Sequence, residues 1–378
     1  MNYKPKHIVI VVHHYPPHIT GVGLVAHNQA KKLVAMGHSV DVITSDTNKD
    51  EKSCNMDGVR VIRVKSLNTF EKWGAPFPIF SPRLFSILLK SIKKADIVHV
   101  HDAFYMSSFF AALFARLYKK PTVLMQHIAM IPHPSKLVVL IEKMVYATTG
   151  ALIFHWSKSI ITINDRVDQF LIERGVSQSK LISLPNGVDT DLFYPVGEEE
   201  KKILRSQFRL NQNKKVVLFV GRFVPKKGFD KVLAACSDEY QIVFAGGDAP
   251  QDSDDEIIFL GKLSQKKLAQ VYQASDIFVL PSHGEGFPLS VQEAMASGLP
   301  VITTKDKGYE RYRLDEKFVY LIDNPTKDST RQAIKTLVKD DDLLRNMSAY
   351  SYRYARANFS WPLIATRLVK IYNDLLIV

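Results

Sequence analysis

The sequence predicts an α/β protein with two doubly wound parallel sheets, and three observations carry that prediction. Short, nearly continuous apolar runs rich in Val and Ile alternate with helix-length amphipathic stretches along the whole chain. Such runs mark strands buried on both faces, as in parallel sheets covered by helices. At 378 residues the chain exceeds one typical core and suits two domains of ordinary size. Finally, "PNGVDTDLFYPVGEEEKK" (185–202) interrupts the pattern with Pro, an Asn-Gly pair and an acidic run, and a fresh strand–helix series follows.

The first series places strands at 7–14, 39–46, 59–66, 95–102, 121–128 and 159–164. The second places them at 214–222, 241–247, 256–261, 276–282, 300–304 and 318–323. The run "HIVIVVHH" is too short for a signal peptide, has no small-residue cleavage site after it, and reads as a first strand. "KLVVLIEKMVYATTGALIFHW" (136–156) is the most lipid-like stretch, but Glu142 and Lys143 at its middle argue against a spanning helix.

Composition narrows the function classes. Apolar residues make up 46% and charged residues 23%, the proportions of a soluble globular protein. Cys54 and Cys236 lie far apart without ligand spacing, which fits a reducing, cytosolic location. The net charge of +12 is uneven: residues 1–190 hold 23 Lys/Arg against 13 Asp/Glu, and residues 191–378 hold 27 against 25. A basic first half suits nucleic acid, an anionic membrane or a phosphorylated partner, and the lack of an aromatic–basic motif disfavours nucleic acid.

In doubly wound sheets ligands sit beyond the carboxyl ends of the strands, so two such domains predict a cleft between them. The first strand runs into "HHYPPHITGVG", where Gly21 and Gly23 open a helix whose amides and dipole could meet an anion. The third glycine of the dinucleotide fingerprint is missing. "ADIVHVHDA" ends in His99, His101 and Asp102, either a metal site or, on the favoured reading, strand-end polar groups. His127 ends "PTVLMQH" and could bond a substrate hydroxyl, act as a base, or be a satisfied buried histidine.

In the second half, "VGRFVPKKG" places Arg222 just past a strand and Lys226 and Lys227 in the following loop. Together they suit a diphosphate, as a fork and a point charge, unless both are merely solvated. Asp189-Thr-Asp191 and Asp252-Ser-Asp254 imitate a divalent-metal clamp, but neither sits at a strand end, and both read as turn acids. In "PSHGEGFPLSVQEAMASGLPVITT" a strand leads into a glycine-rich turn with Glu285. A helix follows over Leu289–Ser297, with Pro288 at its first position, Glu293 near its second turn, Gly298 as its stop and Pro300 beyond. The helix start offers amide donors to an anion between the two acids.

These motifs resemble retaining glycosyltransferases of family 4, the glycosyl transferases group 1, which have the GT-B fold. "HGEGFPLSVQEAMASGLPVI" looks like their E-x7-E signature and "GRFVPKKG" their diphosphate-binding strand and loop. "PNGVDTDLF" is similar to their interdomain segment and "HHYPPHITGVG" to their N-terminal glycine loop. The order is the family's, across nearly the whole chain; Pro288 replaces a frequent glycine.

The resemblance implies two Rossmann-like domains facing a central cleft: 1–190 on the acceptor side and 191–358 binding the nucleotide sugar. A C-terminal helix (359–378) would cross back to the first domain. It implies transfer of a sugar, with retention, from a GDP- or UDP-linked hexose to a glycan or lipid-linked acceptor in polysaccharide, glycolipid or cell-envelope synthesis. Carried over, Glu285 would bond donor-sugar hydroxyls and Glu293 the ribose, while Arg222 and Lys227 neutralise the diphosphate. Gly221 belongs to that strand end, and the amides of Gly286, Phe287, Pro288-Leu289 and of Gly21 and Gly23 would border the phosphates. His127 matches the histidine that meets the donor sugar. No cofactor or metal is expected, since two cations and a helix end can stabilise the leaving group.

"SPRLFSILLKSIKKA" (81–95) combines Leu84, Phe85, Leu88 and Ile92 with Arg83, Lys90, Lys93 and Lys94. It could be a helix resting on an anionic bilayer or an ordinary surface helix, and the first reading implies peripheral attachment to the cytoplasmic membrane face. Competing functions are a nucleotide-sugar epimerase or phosphorylase of the same fold, and a non-catalytic binder of anionic membranes.

Overall fold

The computed structural model describes residues 4–18, 20–46, 53–67, 77–130, 135–248, 257–284 and 287–377. The chain forms two compact units, Met1–Gly187 with Trp361–Val378, and Val188–Ser360.

The first unit is built on β1 (His7–Val11), β2 (Ser39–Asp46), β3 (Ser53–Met56), β4 (Val59–Leu67), β5 (Ile79–Phe80), β6 (Ile97–His101), β7 (Thr122–Gln126), β8 (Ser159–Thr162) and β9 (Leu181–Ser183). Their order is β3-β4-β2-β1-β6-β7-β8-β9, with β5 paired to β4, and only β3 and β5 run antiparallel. β3 and β4 form a hairpin across Asp57 and Gly58, both at positive φ (52° and 79°), the backbone of a two-residue primed turn. The Asp-Gly pair is its sequence signal, which the parallel pattern of the longer strands overshadows.

Helices α1 (Gly21–Ala35), α2 (Arg83–Lys94), α3 (Met106–Leu117), α4 (Lys136–Val145), α5 (Ala151–Trp156) and α6 (Asp165–Ile172) cover this sheet, and a π turn over Tyr146–Gly150 joins α4 to α5. The core is aliphatic, with Val9, Val98, Val100, Leu124 and Ile160 fully buried. Leu84, Leu88 and Ile92 of α2 belong to that core. Three of the four apolar residues named for a bilayer are therefore taken by the sheet and α3, while Phe85 stays 37% exposed at the edge of Phe110, so the reading of an ordinary packed helix is favoured.

The second unit holds β10 (Lys215–Val220), β11 (Tyr240–Ala245), β12 (Ile257–Phe259), β13 (Ile277–Leu280), β14 (Val301–Thr304) and β15 (Tyr320–Ile322), all parallel, in the order β12-β11-β10-β13-β14-β15. Its helices are α7 (Glu198–Phe208), α8 (Phe229–Leu233), α9 (Gln265–Ala274), α10 (Leu289–Ala296), α11 (Lys327–Val338) and α12 (Asp341–Phe359). In both sheets successive connections leave to opposite sides of the first strand. The switch points lie between β1 and β6 and between β10 and β13, which fixes where ligands belong.

A final helix, α13 (Trp361–Asp374), returns to the first unit and packs on α1. Ile364, Leu368 and Ile371 are buried as their helical spacing predicts, and Leu363 is half-buried. The two chain passages between the units run together: Val188 N–H donates to Phe359 O (2.7 Å), and Val188 bridges Ser360 in parallel. Just outside them, a Cβ built on Gly187 would fall 2.3 Å from the Trp361 ring, so only glycine allows this approach.

Candidate active site

At the switch point of the second unit, β10 ends at Val220 and the chain turns through Gly221 and exposed Arg222 into a short 3₁₀ turn, Pro225–Lys227. Two contacts fasten that turn to the end of β13. His283 N–H donates to Lys226 O (2.9 Å), and Gly228 (φ +74°) lies so close that a Cβ there would stand 2.4 Å from Pro281 O. Lys227 folds back toward the strand end, with its Cδ 3.7 Å from where a Gly221 Cβ would be. Lys231 Nζ and His283 Nε2 form a further hydrogen bond beside them. Burial is the first cause that lowers the pKa of each. The loop thus gathers cationic side chains where the sheet delivers a ligand.

Helix α10 follows the end of β13, to which this loop is fastened. Pro288, expected at the first helical position, is instead the N-cap, with φ −60° and ψ 141°, and the helix begins at Leu289; its extended ψ sets the chain's entry into the helix. No side chain caps the start, and with Val291 N–H already donating to Pro288 O (3.1 Å) it is the Leu289 and Ser290 amides that a ligand could use. Phe287 is 2% exposed and stacks on Tyr312 (4.4 Å between centroids), so its side chain is core and only its backbone can serve a ligand. Gly298 stops the helix at φ +73°. Glu285 and Gly286 lie outside the described residues.

Glu293 is half-buried on α10, where its Oε2 accepts from Tyr272 O–H (3.2 Å), which also donates to Ser290 O (3.1 Å). Burial pushes the carboxyl up to about 7, and the tyrosine bond opposes that shift. A carboxyl poised near neutrality suits an exchange of this partner for a ligand hydroxyl. Tyr272 on α9 has no signal in the sequence, because one tyrosine at the end of an amphipathic helix reads as core. Nor did the sequence mark the pocket past β14, lined by Lys305, Asp306, Tyr309, Glu310 and Arg313.

In the first unit, histidines crowd the switch point. His99 and His101 stack at 4.7 Å, His13 stacks on Tyr105 at 3.8 Å, and His127 follows β7. His99 Nδ1 shares a hydrogen bond with Tyr372 of α13 (2.6 Å), and His101 Nδ1 shares one with His127 Nε2 (2.9 Å). The Nδ1 atoms of His99 and His101 are thus held by protein partners, and among the described residues no group of three or more His, Cys, Asp or Glu side chains is placed to hold a metal ion. Asp102, at φ +58°, accepts from His127 N–H (2.7 Å) and anchors the strand end. Burial lowers His99 and His127 to about 3 and His14 to about 4, so these rings are neutral.

Neutrality lets the hydrogen-bond pattern fix the tautomer of His127. His101 Nε2 is buried without a partner, and an unpaired acceptor is tolerated better than an unpaired N–H. His101 Nδ1–H therefore donates, His127 Nε2 accepts, and His127 carries its proton on Nδ1. Such a ring has its basic Nε2 taken up by His101 and its one N–H on Nδ1, which disfavours the base role that the sequence leaves open. At α1, Gly23 N–H is taken by its own N-cap, Thr20 Oγ1 (3.0 Å). Glycine is needed there because a Cβ would stand 2.8 Å from His14 O. The anion-binding role expected of the Gly23 amide is corrected accordingly, and Gly21 and Val22 remain as first-turn donors. Asp189 Oδ1 accepts from Asp191 N–H (3.2 Å), the geometry of a turn acid; Asp252 and Asp254 lie outside the described residues.

A solved structure of an Anabaena protein in complex with UDP and glucose superimposes with a TM-score of 0.75, covering 97% of this chain and 99% of that one at 17% identity. Two doubly wound sheets in this order, with a cationic loop and an open helix start at the second switch point, are those of a GT-B glycosyltransferase. The model for glycosyltransferase family 4 matches residues 19–192, and that for glycosyl transferases group 1 matches residues 200–354. The chain belongs to this family of glycosyltransferases. An uncharacterized glycosyltransferase of Methanocaldococcus jannaschii is 27% identical over 97% of both chains. A GDP-mannose-dependent alpha-mannosyltransferase of Corynebacterium glutamicum is 25% identical over 99% of this chain and 90% of its own.

Proposed function

We propose that the protein is a retaining, metal-independent hexosyltransferase that moves a sugar from a GDP- or UDP-linked hexose to a glycan or lipid-linked acceptor. The observation that carries this reading is the Lys227 turn, held by Gly228 and His283 against the end of β13, which leads to the open start of α10. The turn's charge and the helix's first amides suit a diphosphate leaving group, which gains negative charge as the glycosidic bond breaks. Arg222 and Lys227 neutralise that charge, Glu293 holds the ribose in exchange for Tyr272, and Glu285 takes donor-sugar hydroxyls. His127 donates from Nδ1–H to a sugar hydroxyl. The basic nitrogen of His127, Nε2, is held by His101 Nδ1–H, so the acceptor's proton passes to a phosphate oxygen of the departing diphosphate as the acceptor oxygen bonds the anomeric carbon on the departure face. The mannosyltransferase and the UDP-bound neighbour support a GDP- or UDP-linked donor.

The acceptor is assigned to polysaccharide, glycolipid or cell-envelope synthesis on the cytoplasmic side, supported by the basic bias of residues 1–190. A thermal-shift screen of nucleotide sugars tests the donor, because a ligand of the folded state raises its melting temperature. Product analysis with and without acceptor then separates transfer from epimerisation. Conversion of the donor sugar without acceptor overturns the transferase reading.

A further inference from the structure

The helical stretch Lys136–Trp156 is buried the wrong way round for a surface helix. In α4 the residue facing the core is Glu142, 5% exposed. Leu137, Leu140, Ile141 and Met144 are instead 64%, 52%, 43% and 51% exposed. Their spacing of three and four places all four within an arc of about 100°. Leu152, at the start of α5, is likewise 42% exposed. Surface helices normally turn such a stripe to the core, and four adjacent large side chains exceed the scattered apolar exposure of ordinary surfaces.

Charge says what kind of surface would cover the stripe. Lys136 and Lys143, both exposed, flank one edge of it at the same helical spacing. Residues 103–160 contain Arg116, Lys119, Lys120, Lys136, Lys143 and Lys158, but Glu142 is their one acidic residue and it faces inward. A second copy docked on this face would bring lysine flanks together without an outward carboxylate between them. The stretch is long and apolar enough to cross a bilayer by length and composition. However, Tyr146, Ile153 and Phe154 are fixed in the core of the first unit, and Glu142 is buried with them. A stripe anchored in this way can lie on a membrane but cannot leave the fold to span one.

We infer that α4 and the start of α5 form a docking surface for an anionic lipid bilayer, with Leu137, Leu140, Ile141 and Met144 entering the headgroup boundary and Lys136 and Lys143 meeting lipid phosphates. This deepens the lipid-linked acceptor reading by naming the surface that brings the enzyme to its substrate, and it moves membrane attachment from α2 to α4. The apolar and basic contacts add, so binding needs both.

The test is flotation of the full chain with vesicles of phosphatidylcholine alone or mixed with phosphatidylglycerol. The protein should float with the mixed vesicles, and high salt should weaken binding. The Leu140→Ser/Ile141→Ser/Met144→Ser variant should lose about tenfold or more in vesicle partition while its melting temperature and donor-induced thermal shift stay unchanged. Lys136→Glu/Lys143→Glu should lose selectivity for the anionic lipid. Absence of wild-type binding, or equal binding by the serine variant, overturns the inference. So does a concentration-dependent dimer that the serine variant abolishes, because the stripe is then a contact between copies. Vesicle binding needs neither donor nor acceptor, so its failure leaves the transfer reaction to be judged on its own products.

Discussion

His101 Nδ1 lies 2.9 Å from His127 Nε2, and this one bond decides which nitrogen of His127 carries a proton. His101→Phe removes the donor, frees the tautomer and should lower kcat/KM for transfer about tenfold, the worth of one hydrogen bond near the reacting sugar. The His127 Nδ1–H signal in nitrogen NMR should diminish in the same variant. An unchanged signal together with unchanged kcat/KM would remove His101 from the site.

Lys227→Ala should lower kcat by about 10²–10³-fold, the scale for losing one group that stabilises developing charge. Its melting temperature should stay within a degree or two of wild type, since a half-exposed lysine in a short turn holds no core together. Full activity in this variant would dismiss the diphosphate cradle.

Gly228→Ala tests the fastening between the two loops. A side chain at φ +74°, with its Cβ 2.4 Å from Pro281 O, strains the backbone and pushes the turn away from β13. The expected loss is about 1–3 kcal/mol of stability together with weaker nucleotide-sugar binding in calorimetry. A variant with wild-type melting would show that the loops are not held in this way.

Glu293 gives a pH signature of definite sign. Its folded pKa of about 7 lies above the ordinary carboxyl value, so the folded state keeps a proton that the unfolded chain releases. That contribution is complete at acid pH, declines as the unfolded carboxyl ionises above ~4.5, and is gone above about 7. Glu293→Gln should therefore raise the melting temperature more at about pH 8 than at about pH 5. Nucleotide binding should weaken about tenfold as the ribose grip is lost.

The buried histidines push the other way. His14, His99 and His127 have depressed folded pKa values, so stability is present above the unfolded histidine pKa and is lost as pH falls below about 6.5. With His13 and His101 depressed as well, they outnumber the raised carboxyls of Asp102 and Glu293. Wild-type melting temperature should thus rise with pH up to about 6.5 and level off or fall slightly beyond it. A steady rise through pH 8 would contradict this balance.

Strand position was legible wherever burial on both faces left an uninterrupted apolar run. β2 falls on its expected residues, and β10, β13 and β14 within two or three of theirs. β3, β5 and β9 were not legible, because β3 and β5 carry exposed residues and the three residues of β9 stand in no longer apolar run, unlike the equally short edge strands β12 and β15 within "EIIFLG" and "FVYLID". The sequence also could not tell which amphipathic helix keeps its apolar face free. Leu84, Leu88 and Ile92 read as well for a bilayer as for a core, and the sheet takes them. In the site, the cationic loop was readable from residue type and strand end. The Tyr272–Glu293 and His101–His127 bonds were not, since each joins elements that only the folded sheet brings together.

The near-touching of Gly187 and Trp361 has a genetic reading. Residues 188–360 form an uninterrupted insert whose two ends leave the first unit at one spot. A gene that joins Gly187 to Trp361 through a short linker should encode a first unit that still has α13 on α1, whereas one that stops at residue 187 lacks the helix that covers His99. Seen in this way, the last helix is the closing stitch of a host fold that holds the second sheet as an insert.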